Sequence, residues 1–336
     1  MNDSYPDARL NSTASIVLSL WLSLGSFVAV TGNAVVLWLF FKNKSLRTVS
    51  NRFLVSLSIA DFLVGLVIDP VWIVIRCFIQ PPIHTVLDYF ILLLWVHTTT
   101  ATTFNICCVS VDRFIAIRFP FRYQEIVTKK RCYTLIILVW LFSMGLPFST
   151  LTLSLHKLQQ NFLIMWFSLT FITFVFPLLI VSISYIYIFK LAKEQFKRIL
   201  VEENPRNYDE NIKVRTMQNF KALKTVGFVL GACIITWMPS LVLMVFDCYY
   251  AIVDNRGKIF TSVRVVWPWV ETLAFTSSIV NPFIYCFRNE GFYQTFRRYF
   301  RWFPCGTTKE SLPETGLKPD RQLMVRNDLR CRDIAI

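Results

Sequence analysis

The chain has 336 residues, of which 54% are hydrophobic and only 17% are charged. Soluble globular domains carry about 25% charged residues, so this composition excludes a disordered chain and argues against a soluble two-domain enzyme. The 10 glycines exclude a collagen-like chain. Long apolar segments explain the composition better, and the net charge of +14 has to be explained by where the basic residues lie.

Seven apolar runs follow one another along the chain, and most reach the roughly 20 residues that a membrane helix needs. They cover residues 15–41, 53–68, 89–111, 132–155, 161–189, 225–246 and 265–287. These runs predict an all-α membrane protein that folds as a seven-transmembrane helix bundle. The first run is too long for a cleaved signal peptide, so we expect it to be retained.

The basic residues predict the orientation of the bundle. The stretches 42–52, 112–131, 190–224 and 288–336 hold 29 of the 35 Lys and Arg residues. Basic loops stay on the cytoplasmic side, so we predict an extracellular N-terminus and a multi-pass protein of the plasma membrane. The inner charge then faces anionic membrane lipid and cytosolic partners, and no nucleic acid is needed to explain it.

We divide the predicted chain into four segments: an extracellular N-terminus (1–14), the bundle (15–288), an amphipathic eighth helix (289–304) and a disordered cytoplasmic tail (305–336). Asn2 and Asn11 lie in N-x-[ST] sequons and are predicted glycosylation sites. Cys305 follows the amphipathic helix and is a candidate for palmitoylation, with an ordinary reduced cysteine as an equal alternative.

Polar residues inside the apolar runs are candidates for function, because ionisable groups are costly in lipid. Asp61, Asn33 and Asn281 lie in the middle of their runs. An acid and two amides at one depth either hold a small cation with water or satisfy one another as a packing cluster. We favour the cation. Five threonines between residues 98 and 103 either line a pocket or bond their own helix, and we favour the second role for most of them.

Seven short motifs stand in order, one on each apolar run. They are Gly32-Asn33, the Leu57–Asp61 run, Asp112-Arg113-Phe114, Trp140, Phe176-Pro177 with Tyr185, the Thr236–Pro239 run, and the Asn281–Tyr285 run. In this order they resemble the rhodopsin-like (class A) G-protein-coupled receptors. The segments around Lys221 and Phe176 are most similar to the aminergic and trace-amine receptors within that family.

The resemblance implies a receptor, not an enzyme, that passes an extracellular small-molecule signal to heterotrimeric G proteins, with arrestin as a further expected partner. The implied activation switch comprises Asp112, Arg113, Tyr185, Trp237, Pro239 and Tyr285. The implied G-protein contact comprises Arg113, Pro120 and Phe121. An allosteric Na⁺ is the only cofactor expected, with no other metal site, and its implied ligands are Asp61, Thr102, Ser277 and Asn281. The expected ligand pocket comprises Trp95, Thr99, Thr170, Thr173, Trp237, Trp267, Glu271 and Phe275.

The outer half departs from the family's pattern. Trp95 stands where amine receptors have an Asp counter-ion, and Phe275 stands where opsins have the retinal-binding Lys. Asp88 stands where most members have a Cys, so the usual disulfide is not expected. A bridge between Cys77 and Cys248 is a less favoured alternative, because geometry has to bring the two residues together.

Glu271 is the replacement that we expect for the missing counter-ion. It lies nearly three turns outside the Asn-Pro motif and is the only acid that the runs place in an outer half. Trp95 and Trp267 are predicted neighbours, and a carboxylate among aromatic rings is how proteins hold cationic amines. Pairing of Glu271 with Arg76 or Arg264 at the outer rim is an alternative of equal weight.

Other functions stay open at this point. Trp95 favours a class A receptor for a lipid, odorant or metabolite, whereas Cys233 and Asn219, at positions that usually restrain the inactive state, favour a constitutively active receptor. A transporter or channel would fit seven spans, but the sequence shows neither internal repeats nor paired broken helices. A membrane enzyme would need a catalytic cluster, and the three histidines do not have metal-ligand spacing.

Overall fold

The computed structural model describes residues 9–80, 85–155, 167–201, 231–232, 234–250, 252–253 and 262–300. The helices in chain order are α1 (Ser12–Lys42), α2 (Val49–Ile79), α3 (Val86–Arg118), α4 (Lys129–Leu155), α5 (Phe176–Val201), α6 (Ile234–Tyr250), α7 (Trp267–Phe275 and Ser277–Arg288) and α8 (Glu290–Tyr299). Several predicted features lie outside the described residues: Asn2, Asn219, Cys233, Cys305 and the tail 305–336.

Five helices of the described chain, α1 to α5, are long and apolar enough to cross a membrane, and α6 is a shorter apolar helix. α3 is the central helix, because 67% of its most apolar stretch is buried against 22% in α1 and in α4. The other helices turn large apolar side chains outward, as Leu24, Phe27 and Ile235 show. Such an outer surface fits a bundle surrounded by lipid. The prediction of an all-α membrane bundle is confirmed.

Polar side chains cap the N-termini of α1 and α3. The Asn11 side-chain oxygen accepts a hydrogen bond from the Ala14 amide at 2.7 Å, so this predicted glycosylation site also caps α1. Thr85 and Asp88 form a capping box at the start of α3. Asp88 occupies the position where most members of the resembling family have a disulfide cysteine, and here it has a structural role at the outer end of α3.

α2 runs to Ile79, well beyond the end predicted at residue 68. Its backbone is π-helical over Val64–Ile68 and again over Ile73–Ile79. Pro70 has no amide hydrogen to donate, and the widened turn before it accommodates the ring, with the Asp69 amide bonded to the Val64 carbonyl. The extension brings Asp69, Trp72 and Arg76 into the outer half of the bundle.

Two large apolar clusters, one in each half, and two small ones pack the described bundle. The inner cluster includes Val36, Leu57 and Phe292, and the outer cluster is built around Trp72, Trp95 and Trp237. α8 joins the inner cluster through Phe292, which is fully buried, while Arg297 and Arg298 are exposed. An apolar face against the bundle and a basic face outward fit the amphipathic helix expected there.

A close approach of α1 to α7 requires a glycine. A Cβ atom on Gly32 would lie 2.8 Å from the Pro282 ring, which has no rotatable end to move away. The neighbouring Asn33 amide donates to the Ser278 carbonyl at 3.2 Å. The Gly-Asn pair thus sets the distance between the first and last helices and adds a polar contact across them.

Candidate ligand site and activation switch

Trp95 of α3 is the centre of an aromatic cluster in the outer half. Its ring centroid lies 6.4 Å from that of Trp72, 5.7 Å from Trp237, 5.9 Å from Trp267 and 5.7 Å from Phe275. These rings come from α2, α6 and α7, so one buried side chain contacts three helices. The structure thereby brings together four of the predicted pocket residues and adds Trp72, which the sequence did not single out.

Glu271 of α7 lies beside this cluster and is already paired with a cation. Its Oε1 atom is 3.0 Å from the Arg76 Nη2 atom, and its Oε2 atom accepts from Arg76 Nε at 3.2 Å and from Trp72 Nε1 at 2.7 Å. The two charged side chains are only 4% and 13% exposed. Arg264 donates instead to the Gln80 carbonyl. The structure therefore has the Arg76 alternative, and the Glu271 charge is balanced from within the chain.

Most threonines near the pocket are engaged with backbone or other side chains. Thr98, Thr100 and Thr103 donate to carbonyls of their own helix, which is the role that we favoured. On the α5 side, Thr173 donates to the Leu169 carbonyl, and the Thr170 hydroxyl lies 3.1 Å from the Met244 sulfur on α6. These two predicted pocket residues link or stiffen the helices beside the aromatic cluster.

Thr99 is the exception among these hydroxyls. It is 1% exposed, and its Oγ1 atom has no hydrogen-bond partner among the described residues. It lies one helical turn after Trp95 on the same face of α3. A buried hydroxyl without a partner is uncommon, so this position is available to a bound group.

The outer half also contains a second buried acid, Asp69 of α2. It is 3% exposed, and its Oδ1 atom has no partner among the described residues. This corrects the expectation that Glu271 is the only acid in an outer half. Asp69 was missed because the second apolar run was ended at residue 68, in front of an Asp-Pro pair that usually marks the end of a helix.

Asp61 lies in a polar cluster in the middle of the bundle. Its two carboxylate oxygens accept hydrogen bonds from the Ser278 hydroxyl and the Asn281 amide, each at 2.8 Å. Ser278, rather than the predicted Ser277, contacts the carboxylate, because the Ser277 hydroxyl donates to the Ala274 carbonyl of its own helix. Thr102, also predicted here, is buried in α3.

Asp112 at the inner end of α3 is held by two hydroxyl groups. The Ser50 hydroxyl of α2 bonds to Oδ2, and the Tyr123 hydroxyl donates to Oδ1 at 2.7 Å. Burial and the neighbouring carboxylate raise the pKa of the Tyr123 phenol, so it stays protonated as a donor. The Arg113 Nε atom lies 4.0 Å from the same carboxylate. The ion pair of Arg113 with its neighbour is therefore a long one.

The remaining predicted switch and contact residues are distributed along the inner half. Tyr185 of α5 packs with Ile117 and Ile188, Pro239 lies within α6, and Tyr285 lies within the second segment of α7. Pro120 and Phe121 follow the end of α3 and are exposed, Phe121 by 88%. The exposed pair is placed at the end of the bundle that also carries Arg113.

The two cysteines considered for an outer disulfide are not bonded to each other. Cys77 and Cys248 are both free thiols, so the less favoured disulfide is not formed.

An apolar cavity lies between α3, α5 and α6, against Trp237, and its lining includes Ile106, Phe174 and Leu241. This cavity leaves space beside the ring that joins α6 to Trp95.

Comparison with known proteins defines the class of this chain. Residues 32–285 match the family model of the 7 transmembrane receptor (rhodopsin family), which is more than half of the chain. The chain therefore belongs to the rhodopsin family of seven-transmembrane receptors. It is a multi-pass membrane receptor, and the resemblance in the motifs is confirmed.

Individual relatives are similar over nearly the whole chain. The histamine H2 receptor of the dog, Canis lupus familiaris, is 29% identical over 97% of this chain and 88% of its own length. The human histamine H2 receptor is 29% identical over 96% of this chain and 89% of its own length. The adenosine receptor A2b of the chicken, Gallus gallus, is 28% identical over 94% of this chain and 96% of its own length.

Proposed function

We propose that this receptor, with its N-terminus outside the plasma membrane, binds a small extracellular amine and passes the signal to a heterotrimeric G protein. The observation that carries the proposal is the continuous aromatic contact from Trp72 through Trp95 to Trp237. This contact joins the buried acids of α2 and α7, Asp69 and Glu271, to α6, the helix that we expect to move on activation. The similarity to two histamine H2 receptors supports an amine as the ligand class.

The outer half offers the chemistry that an amine requires. Indole faces attract cations, and buried carboxylates hold them by charge and hydrogen bonds. The Arg76 guanidinium carbon already lies 5.6 Å from the Trp72 ring centroid, which shows a cation on this aromatic surface. Because Arg76 balances Glu271, we assign this pair to the outer wall of the pocket rather than to the counter-ion.

The route from ligand to cytosol follows the packing. A ligand that displaces Trp95 moves the Trp237 ring, and the apolar cavity beside it gives that ring room. α6 then swings about Pro239, which lacks the hydrogen bond that would stiffen it. Differential contact with the two arrangements is what shifts their populations.

The inner end is prepared for this change. Ser50 and Tyr123 satisfy Asp112 from two sides, so Arg113 can leave its neighbour without exposing an unpaired carboxylate. The released guanidinium, together with Pro120 and Phe121, then forms the contact for a G-protein helix or for arrestin. Basic inner loops favour both partners and anionic lipid.

We also propose that Na⁺ binds at Asp61 and favours the resting arrangement. The oxygen donors fit such a hard cation, because each carboxylate oxygen keeps a lone pair beyond its bond to Ser278 or Asn281. The Asn33 Oδ1 atom is buried with no partner in the described part of the chain and adds a neutral oxygen. A bound cation would stabilise the ionised form of Asp61.

The test is second-messenger output of transfected cells exposed to a panel of small primary amines. We expect at least one amine to raise output from the wild-type receptor in a saturable manner. Arg113→Ala, matched for surface expression, is the signalling-dead control. No response to any amine across the panel would contradict the proposal.

A ligand-independent receptor is the second candidate, and one contact favours it. Trp95 fills the centre of the pocket and touches Trp237 directly, as a bound ligand ring would. On this alternative, basal output of the wild type is high and Trp95→Leu lowers it, since the substitution removes the indole that presses on α6. Low basal output from both proteins would exclude it.

A further inference from the structure

A polar layer lies directly beneath the Trp72–Trp95 pair. α2 and α3 run in opposite directions, because Ser50 contacts Asp112 at one end and Trp72 contacts Trp95 at the other. Asp69 precedes Trp72 by three residues, and Thr99 follows Trp95 by four, so each lies one turn deeper on the same face as its indole. The carboxyl and hydroxyl groups are thus placed at one level on facing helices.

Three polar atoms around this level are buried and lack hydrogen-bond partners among the described residues: Asp69 Oδ1, Thr99 Oγ1 and Trp237 Nε1. Their residues are 3%, 1% and 4% exposed. Such atoms normally have partners, and leaving one buried alone costs about 1–3 kcal/mol, more for a charged group. Two of these atoms, Asp69 Oδ1 and Thr99 Oγ1, belong to residues at one level beneath the Trp72–Trp95 pair, where one ligand would satisfy both.

Both carboxylate oxygens of the other two buried acids of α2 and α7 already have side-chain partners. Arg76 and Trp72 satisfy Glu271 above this layer, and Ser278 and Asn281 satisfy Asp61 about two turns below it. Of the buried acids of α2 and α7, Asp69 is the one with an oxygen that lacks a partner among the described residues. Asp247 of α6 also has such an oxygen, but its Oδ2 atom accepts from Trp267 Nε1 at 2.6 Å. A negatively charged acceptor, a neutral hydroxyl acceptor and indole faces together select a small cation that carries N–H donors.

We propose that Asp69 and Thr99 form the subsite for the ammonium head of the ligand, with Trp72 and Trp95 as its aromatic roof. The subsite deepens the proposed function and rests on it, because it takes the amine class as given. The ammonium donates to the Asp69 carboxylate and the Thr99 hydroxyl and places its positive charge against the Trp95 ring. The rest of the ligand displaces Trp95 toward Trp237. Asp69 thereby supplies the negative charge that Trp95 replaced on α3.

The experiment measures thermal unfolding of the purified full-length receptor with methylammonium, 2-phenylethylamine or histamine, each as its chloride salt. Sodium chloride at the same ionic strength tests for an inorganic cation, and choline chloride tests for a cation without N–H donors. The variant is Asp69→Asn, which keeps the shape and polarity of the side chain and removes its negative charge. Asp88→Asn is the matched control, because it makes the same change at an acid of the outer half that caps α3 and takes no part in the proposed subsite.

We expect a primary amine to raise the unfolding midpoint of the wild type and of Asp88→Asn, and to have no effect on Asp69→Asn. In the signalling assay, Asp69→Asn should lose roughly 30-fold or more in amine potency, the usual result of removing one partner of a buried charge pair. Thr99→Val should lose about tenfold, because it removes one hydrogen bond to a charged group and keeps the side-chain shape.

Each other outcome counts against the inference in its own way. If amines stabilise and activate Asp69→Asn as well as the wild type, the subsite is wrong and the proposed function stands. If sodium alone stabilises the wild type and Asp69→Asn abolishes that effect, the site binds an inorganic cation and the ammonium subsite is wrong. If no amine stabilises or activates the wild type, the proposed function fails and the subsite fails with it.

Discussion

The inner and outer halves of the bundle treat their buried acids differently. In the inner half, Asp61 and Asp112 each receive two hydrogen bonds from uncharged side chains on neighbouring elements. In the outer half, Glu271 is balanced by a cation, and Asp69 has an oxygen without a partner in the described chain. The two acids that belong to the family's motifs thus have protein partners for both oxygens, whereas Asp69, which belongs to no motif, keeps an oxygen for a ligand.

The difference has a functional meaning. An inner switch has to hold one arrangement until it is moved, so its charged groups need partners within the protein. A ligand site has to exchange partners, and pairing every group internally would leave nothing to bind. The following predictions test this division, beginning with the largest effect.

Arg113→Ala should abolish G-protein coupling while the receptor still reaches the cell surface. Its ion pair with Asp112 is long, at 4.0 Å, so we expect its removal to take away the contact with the G protein more than it disturbs the fold. Coupling is measured as ligand-stimulated or basal second-messenger output. Arg122→Ala is the matched control, because Arg122 pairs with Glu125 on the surface, where both side chains are more than 70% exposed. Full coupling of Arg113→Ala would remove Arg113 from the switch.

Arg76→Met should destabilise the receptor by about 3–5 kcal/mol, because it leaves the buried Glu271 carboxylate without its cation. The measurement is the unfolding midpoint of the purified receptor. Adding Glu271→Gln to the same chain should recover most of the loss, since the double variant has no unpaired charge. An Arg76→Met receptor as stable as the wild type would show that the pair is not a structural part of the outer wall.

Gly32→Ala should cost about 1–3 kcal/mol, because the new methyl group would lie 2.8 Å from the rigid Pro282 ring and push α1 away from α7. Gly145→Ala in α4 is the control, since a Cβ atom there meets nothing within 4 Å. The control should gain about 0.5–1 kcal/mol from the better helix propensity of alanine. Equal effects of the two substitutions on the unfolding midpoint would contradict the close approach.

Tyr123→Phe should have the smallest effect, a loss of about 1 kcal/mol in the free energy of unfolding with a modest fall in basal output. It removes one of the two hydroxyl donors to Asp112 and leaves the Ser50 bond in place. The carboxylate then depends more on Arg113, which keeps the guanidinium in the resting arrangement. Tyr133→Phe is the control, since this exposed tyrosine is not among the partners of Asp112. Basal output unchanged from the wild type would mean that Ser50 alone holds Asp112.

Much of the fold was predictable because helices depend on local patterns. Apolar runs, caps and basic loops are read within a few residues of one another, and they place α1, α3 and α4 close to their predicted bounds. The aromatic cluster was partly predictable, since Trp95, Trp237 and Trp267 come from positions that the family's order brings into one pocket. Trp72 and Asp69 were not predictable in this way, because Asp69-Pro70 is a pair that usually marks the end of a helix, and the predicted run stopped in front of it.

The sequence by itself determined the class of protein and the order of the membrane helices. It also determined that Trp95 occupies the position where amine receptors have an Asp counter-ion. The tertiary structure alone decided which partner each buried polar group has: Arg76 rather than Arg264 for Glu271, and Ser278 rather than Ser277 for Asp61. Partner choice depends on how each helix is rotated and on its register. One extra residue in a π-helical turn rotates everything after it by about 100°, and α2 contains two such segments before its outer end.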